Sequence, residues 1–301
     1  MVAPATVTYD RDDLLIAVES LEALGLKVRP GEHVLARYGY FAGTDEDRAA
    51  DINAAFTADD VDGVIALRGG WGAARTLPHL DFDRIAANPK VFLGYSDITT
   101  LLNAFLARSS LVAFHGPNGS SPWTGFTTQG VRSIIFNGEA PLMRNPEVRD
   151  DSLAVRDYRI SPIVPGRARG RLVGGNLTLF SGLVGTPWFP DVTGALVFLE
   201  EVGEYIYRCD RMLTQLALAG VFEKAAGVIL GGFTGCGISP DRFGTFSLND
   251  VFEQHLGGLG KPVFSGAMIG HVEWKRTVPI GVMTEMDARA GTIQMLEPAV
   301  L

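Results

Sequence analysis

The chain has 301 residues, 47% hydrophobic and 20% charged, enough to bury a substantial core in one large domain or two smaller ones. Its formal charge of -8, with no dense cluster of Lys or Arg, argues against nucleic acid and anionic membranes as partners. Cys209 and Cys236 lack metal or redox spacing, the N-terminus lacks a basic n-region ahead of an apolar stretch, and no apolar run has bilayer length, so a reduced, cytoplasmic location is expected.

Leu14, Leu15, Val18, Leu21 and Leu24 recur at helical spacing after the acidic stretch Asp10 to Asp13, with Gly25 as a stop. A strand is expected near Lys27-Val28, then a helix from about Thr44 toward Phe56 with acidic residues in its first turn. Two apolar runs of strand length follow. Val61 to Leu67 ends in Arg68-Gly69-Gly70-Trp71-Gly72, and Val91-Phe92-Leu93 ends in Gly94-Tyr95-Ser96-Asp97 before a helical pattern from Ile98 to Ala107. Repeated strand–loop–helix units predict an α/β fold with a doubly wound, mainly parallel sheet, whose ligands bind beyond the carboxyl ends of its strands.

Periodicity fades among prolines between about Asn137 and Arg169. The expected organisation is therefore an N-terminal α/β domain over 1–140, a crossover over 141–169 and a β-rich α/β domain over 170–301, with the site at their interface. In the second half, Gly170 to Gly175 precede a short helix, Ala195–Leu199 and Gly227–Phe233 read as buried strands, and Thr277–Met283 with Thr292–Leu296 read as a hairpin.

Ser96 stands at a tight strand-to-helix junction, which lifts a side chain above a sheet edge and sets it at a helix N-terminus. Helix capping is the common meaning of such a Ser-Asp pair, and Ile98 replaces the last Gly of a G-x-S-x-G elbow. The glycine loop matches neither a dinucleotide fingerprint nor a P-loop, but its amides, with that of Asp97, suit an oxyanion. Among five histidines, His115 and His271 both follow apolar runs that reach the same edge, and spacing does not separate them as the base. Glu200, Glu201 and Glu204 compete as the orienting carboxylate. No motif marks a metal or cofactor site, and none is expected.

Together, Arg68 to Gly72 with Arg75, Gly94 to Thr99, Phe114-His115-Gly116-Pro117, Gly174 to Leu177 with Gly185-Thr186-Pro187, Leu199-Glu200 through Tyr207-Arg208 to Leu213, and Gly270-His271 with Thr277 to Gly281 resemble the LD-carboxypeptidase and microcin-immunity family of serine peptidases. The resemblance implies a homodimer with a triad of Ser96 as nucleophile, His271 as base and Glu200 as orienter, and backbone amides of Gly70 and Asp97 as the oxyanion hole. Trp71, Arg75, His115 and Arg208 are then the candidate substrate contacts. It implies release of terminal D-alanine from a murein tetrapeptide, or alternatively hydrolysis of a microcin-type aminoacyl nucleotide amide. A binder of small molecules without catalysis is the competing class. Trp71 replaces the family's more usual Tyr, Glu201 stands where Asp is expected, and Val2-Ala3-Pro4 resembles the end of the family's first strand.

Overall fold

The computed structural model describes residues 1–146, 159–240 and 246–300. Asp10 caps α1 (Arg11–Glu22) by accepting from the Asp12 amide, and Thr44 closes a capping box on α2 (Asp45–Thr57). Lys27-Val28, expected as a strand, has irregular backbone. Two residues cannot hold a strand without a neighbour to supply the ladder, and among the described residues none pairs with them.

A small sheet runs in the order β1 (Gly63–Ile65), β2 (Val91–Gly94), β3 (Ala113–His115) and β10 (Val278–Ile280), with the first three parallel and the last antiparallel. Ahead of β1, Val2 forms a parallel bridge to Ala66. Side-chain alternation covers the sheet on both faces. Val64 and Ala66 pack with Ile52 and Phe56 of α2 and with Phe105 of α4 (Thr99–Ser109), which follows α3 (Phe82–Ala87). Leu67 instead joins Leu14, Ala17 and Leu21 of α1.

Among the described residues the second sheet has eight strands in the order β4 (Leu142–Met143), β12 (Thr292–Met295), β11 (Met283–Asp287), β6 (Arg167–Asn176), β7 (Leu196–Val202), β8 (Gly227–Thr234), β9 (Val263–Ser265) and β5 (Ser161–Val164). Its centre, β6 to β9, is parallel. The expected C-terminal hairpin is corrected in its first arm: β11 and β12 form the hairpin, whereas Val278–Ile280 crosses to the small sheet and pairs with β3. Of the expected crossover, 147–158 lie outside the described residues, and β4 and β5 come from the rest.

Alternation along β7 sends Leu196 and Phe198 into the core shared with the small sheet. Val197 and Leu199 point the other way, against α6 (Leu177–Gly182) and α7 (Ile206–Leu218), beyond α5 (Gly125–Val131) in the chain. Buried polar groups join the two sheets. Asn103 of α4 donates to Gly174 O at 2.8 Å and accepts from its N–H at 3.3 Å, and Thr99 Oγ1 accepts the Asn176 amide at 3.0 Å. The helix behind Ser96 is thus bonded to the strand beside Glu200. Among the described residues no helix is long and apolar enough to cross a membrane.

Candidate active site

Ser96 lies two residues past β2 with φ at +68°, a left-handed conformation costly for a residue with a Cβ and typical of strained functional turns. Gly94 allows the turn to close, because a Cβ there would meet Ile98 Cγ2 at 2.8 Å. Ile98, the departure from the G-x-S-x-G pattern, therefore fills the space that Gly94 leaves. The glycine loop after β1 stands directly against the serine: a Cβ on Gly69 would be 2.7 Å from Ser96 Cβ and 2.9 Å from Oγ. Asp97, 1% exposed, accepts the Ala73 amide through Oδ2 at 2.7 Å and so binds the end of this loop to the serine turn. Burial pushes the Asp97 carboxyl up to about 6, against the lowering effects of the Ala73 bond and Arg48.

Glu200 falls on the side of β7 that carries Leu196 and Phe198, so its carboxylate enters the region between the sheets. Its Oε2 stands 2.7 Å from His271 Nδ1 and accepts the His271 backbone N–H at 3.1 Å. A carboxylate only accepts, so Nδ1 carries the proton and Nε2 is left as the basic nitrogen. Gly270, at φ +100°, makes this approach possible, because a side chain there would collide with the Glu200 carboxylate. Burial alone would raise Glu200, but His115 and His271 bring it down to about 2. The His271 ring also stands 4.8 Å, between centroids, from the ring of Tyr95, the residue before Ser96. Among the described residues Ser96 Oγ makes no hydrogen bond.

The other sequence candidates separate. His115 is 1% exposed and faces inward, with Nε2 3.8 Å from Glu200 Oε1, beyond hydrogen-bond length. Among the described residues both His115 nitrogens and Glu200 Oε1 are without hydrogen-bond partners. Expected as a substrate contact, His115 presents almost no surface to a ligand. Glu201 points to the opposite side of β7, where it accepts from Asn176 Nδ2, from Thr178 N and Oγ1, and from Val202 N. It fixes the start of α6. Glu204 pairs with Arg208 at 3.6 Å, and Arg75 donates Nε to both Asp45 oxygens at 2.9 and 3.0 Å. Trp71 is half exposed and stacks on Tyr40, with ring centroids 6.5 Å apart.

Lys275 belongs to no motif that marks it in the sequence. Four residues after His271, it is 4% exposed and holds Nζ 4.8 Å from the centroid of the Tyr95 ring. An isolated lysine in a polar stretch gives no signal of burial. Among the described residues no group of three or more His, Cys, Asp or Glu is arranged to hold a metal.

Residues 1–116 match the LD-carboxypeptidase N-terminal domain and residues 169–286 the LD-carboxypeptidase C-terminal domain. The chain is 36% identical over 292 residues to a probable murein peptide carboxypeptidase of Bacillus subtilis, covering 97% of this chain and 89% of the relative. Its structure matches a muramoyltetrapeptide carboxypeptidase from Oxalobacter formigenes at a TM-score of 0.81 and 32% identity, covering 98% of this chain and 96% of that one. The chain is also 29% identical over 318 residues to the microcin C7 self-immunity protein MccF of Escherichia coli, covering 98% of this chain and 91% of the relative. MccF in complex with aspartyl sulfamoyl adenosine matches at a TM-score of 0.86 and 25% identity, covering 100% of this chain and 96% of that one.

Proposed function

The chain belongs to the LD-carboxypeptidase family of serine peptidases, and from that premise we propose that it removes the terminal D-alanine of a murein tetrapeptide across an L-centre to D-centre amide bond. The observation that carries the catalytic reading is the buried 2.7 Å contact of Glu200 with His271 beside the strained turn that bears Ser96.

In this reading Ser96 Oγ attacks the scissile carbonyl while His271 Nε2 takes its proton. Glu200 keeps Nδ1 protonated and stabilises the imidazolium that forms. The Gly70 and Asp97 amides receive the oxyanion; an N–H in the first turn of a helix has no intrahelical acceptor and is free for this use. His271 returns the proton to the leaving amine, and water, activated by the same imidazole, hydrolyses the acyl-enzyme. No step requires a metal or cofactor. The site draws residues from a proposed N-terminal domain, 1–140, and a proposed C-terminal domain, 170–301, linked by 141–169. The family resemblance supports a cytoplasmic homodimer that acts on recycled wall peptides.

The test is incubation of a murein tetrapeptide with wild type and Ser96→Ala, with products identified by mass spectrometry. Release of D-alanine by wild type alone supports the reading, and release by both removes Ser96 from the chemistry. A second substrate class is favoured by Trp71 and Tyr40, whose exposed, stacked rings beside the glycine loop offer a face to a nucleobase. An aminoacyl sulfamoyl adenosine in the same assay distinguishes it: cleavage of this substrate alone would establish the microcin-type amidase.

A further inference from the structure

Cleavage at a peptide C-terminus puts a free carboxylate beside the scissile amide. The two arginines among the candidate substrate contacts already have acidic partners, Arg75 in Asp45 and Arg208 in Glu204. Lys275 does not. Its backbone N–H donates to Thr127 Oγ1 at 3.3 Å, which anchors this segment on α5. Its Nζ, among the described residues, has neither a hydrogen-bond acceptor nor a carboxylate at salt-bridge distance. Arg48, the comparable buried cation, donates to Pro4 O at 2.6 Å, to Gly72 O at 2.8 Å and to Asp45.

Lys275 is 4% exposed, yet its Nζ is not among the sealed atoms without a partner, so an ammonium with unused donors, held over one aromatic face, stays within reach of a ligand. Burial lowers the Lys275 pKa while the charge of Glu200 acts in the opposite direction. The ring beneath Nζ belongs to Tyr95, which precedes the nucleophile and faces His271. An anion that approached Ser96 along the Tyr95 ring would meet Lys275, a cation without a carboxylate at salt-bridge distance among the described residues.

We propose that Lys275 binds the terminal carboxylate of the peptide substrate and so sets the preference for a free C-terminus. This rests on the carboxypeptidase reading above. The ammonium then both supplies donors to the carboxylate and counters the repulsion between that carboxylate and Glu200.

The test compares a tetrapeptide ending in D-alanine with its C-terminal carboxamide, using wild type, Lys275→Met and Lys275→Gln. Fluorophosphonate labelling of Ser96 and thermal melting are measured alongside. The expected result is a KM for the acid raised about 10- to 100-fold in both variants, with kcat and the labelling rate within about threefold of wild type. Wild type should itself prefer the acid by a similar factor, and the variants should lose that preference. Equal losses on acid and amide, or labelling slowed in parallel with turnover, would overturn the proposal and make Lys275 a counter-charge of the triad. If Lys275→Met does not fold, the acid-to-amide ratio of Lys275→Gln decides. If wild type releases D-alanine or D-alaninamide from neither peptide, the carboxypeptidase reading fails and this proposal with it; wild-type release with an unchanged ratio in the variants overturns Lys275 alone.

Discussion

The buried carboxylate of Asp97 accepts the backbone N–H of Ala73 at 2.7 Å, which ties the turn that carries Ser96 to the glycine loop facing it. The two sides of the proposed oxyanion hole, Gly70 and the Asp97 amide, are therefore linked by a hydrogen bond between loops that follow different strands. Asp97→Ala leaves the Ala73 donor unsatisfied, at a cost of about 1–3 kcal/mol, and lets the loop drift. We expect kcat to fall by at least about 10-fold with a smaller change in KM, measured on the tetrapeptide.

Asp97 also gives a pH signature. Its carboxyl titrates near 6 in the folded protein against 3.8 for a free one, so between these values the folded state holds more protons than the unfolded state. Its contribution to stability is accordingly lost as pH rises through this window. Asp97→Asn removes the titration and keeps an acceptor. The melting temperature of Asp97→Asn minus that of wild type should grow between about pH 4 and pH 6 and then level off, in a series of thermal melts; a flat difference would contradict the assignment.

Glu200 behaves in the opposite sense. Its pKa lies at about 2 rather than 4.5, so its stabilising effect is complete above the unfolded value and disappears as pH falls toward 2. It stays a carboxylate at every pH of a neutral assay. Glu200→Gln replaces an obligate acceptor with a group that can donate, and no longer enforces the Nδ1–H tautomer of His271. We expect kcat to drop about 10³- to 10⁴-fold with KM little changed, as judged by steady-state kinetics.

His115→Phe keeps a ring of similar size against Phe198 and removes the Nε2 that stands 3.8 Å from Glu200 Oε1. Because His115 lies behind the carboxylate and not on the ligand side, the expected effect is a roughly 10-fold loss of kcat at nearly constant KM. A raised KM with unchanged kcat would restore the substrate-contact role that the sequence suggested.

Gly69→Ala introduces a methyl 2.9 Å from Ser96 Oγ, closer than packed groups approach. The serine turn or the loop has to shift, and Ser96 should lose most of its reactivity. Fluorophosphonate labelling should fall at least about 10-fold while the fold is retained by circular dichroism; labelling at the wild-type rate would show that the loop does not confine Ser96.

The chemistry-bearing stretches were legible in the sequence because their constraints are local. A glycine loop, a serine between strand and helix, and carboxylates leaving an apolar strand are each short patterns, and their order along the chain carries the family resemblance. Even the split between Glu200 and Glu201 is written as a period of two, with Leu196 and Phe198 on one face of β7 and Val197 and Leu199 on the other. Which face meets His271 is set only by how the two sheets pack. The same holds for Val278–Ile280, which reads as one arm of a hairpin until β3 is present to pair with it. Burial of His115 behind Glu200 and of Lys275 over Tyr95 likewise depends on contacts 85 and 180 residues apart in the chain. Local pattern names the groups that can react; the packing of distant segments decides which of them are desolvated, paired or left with an empty partner position.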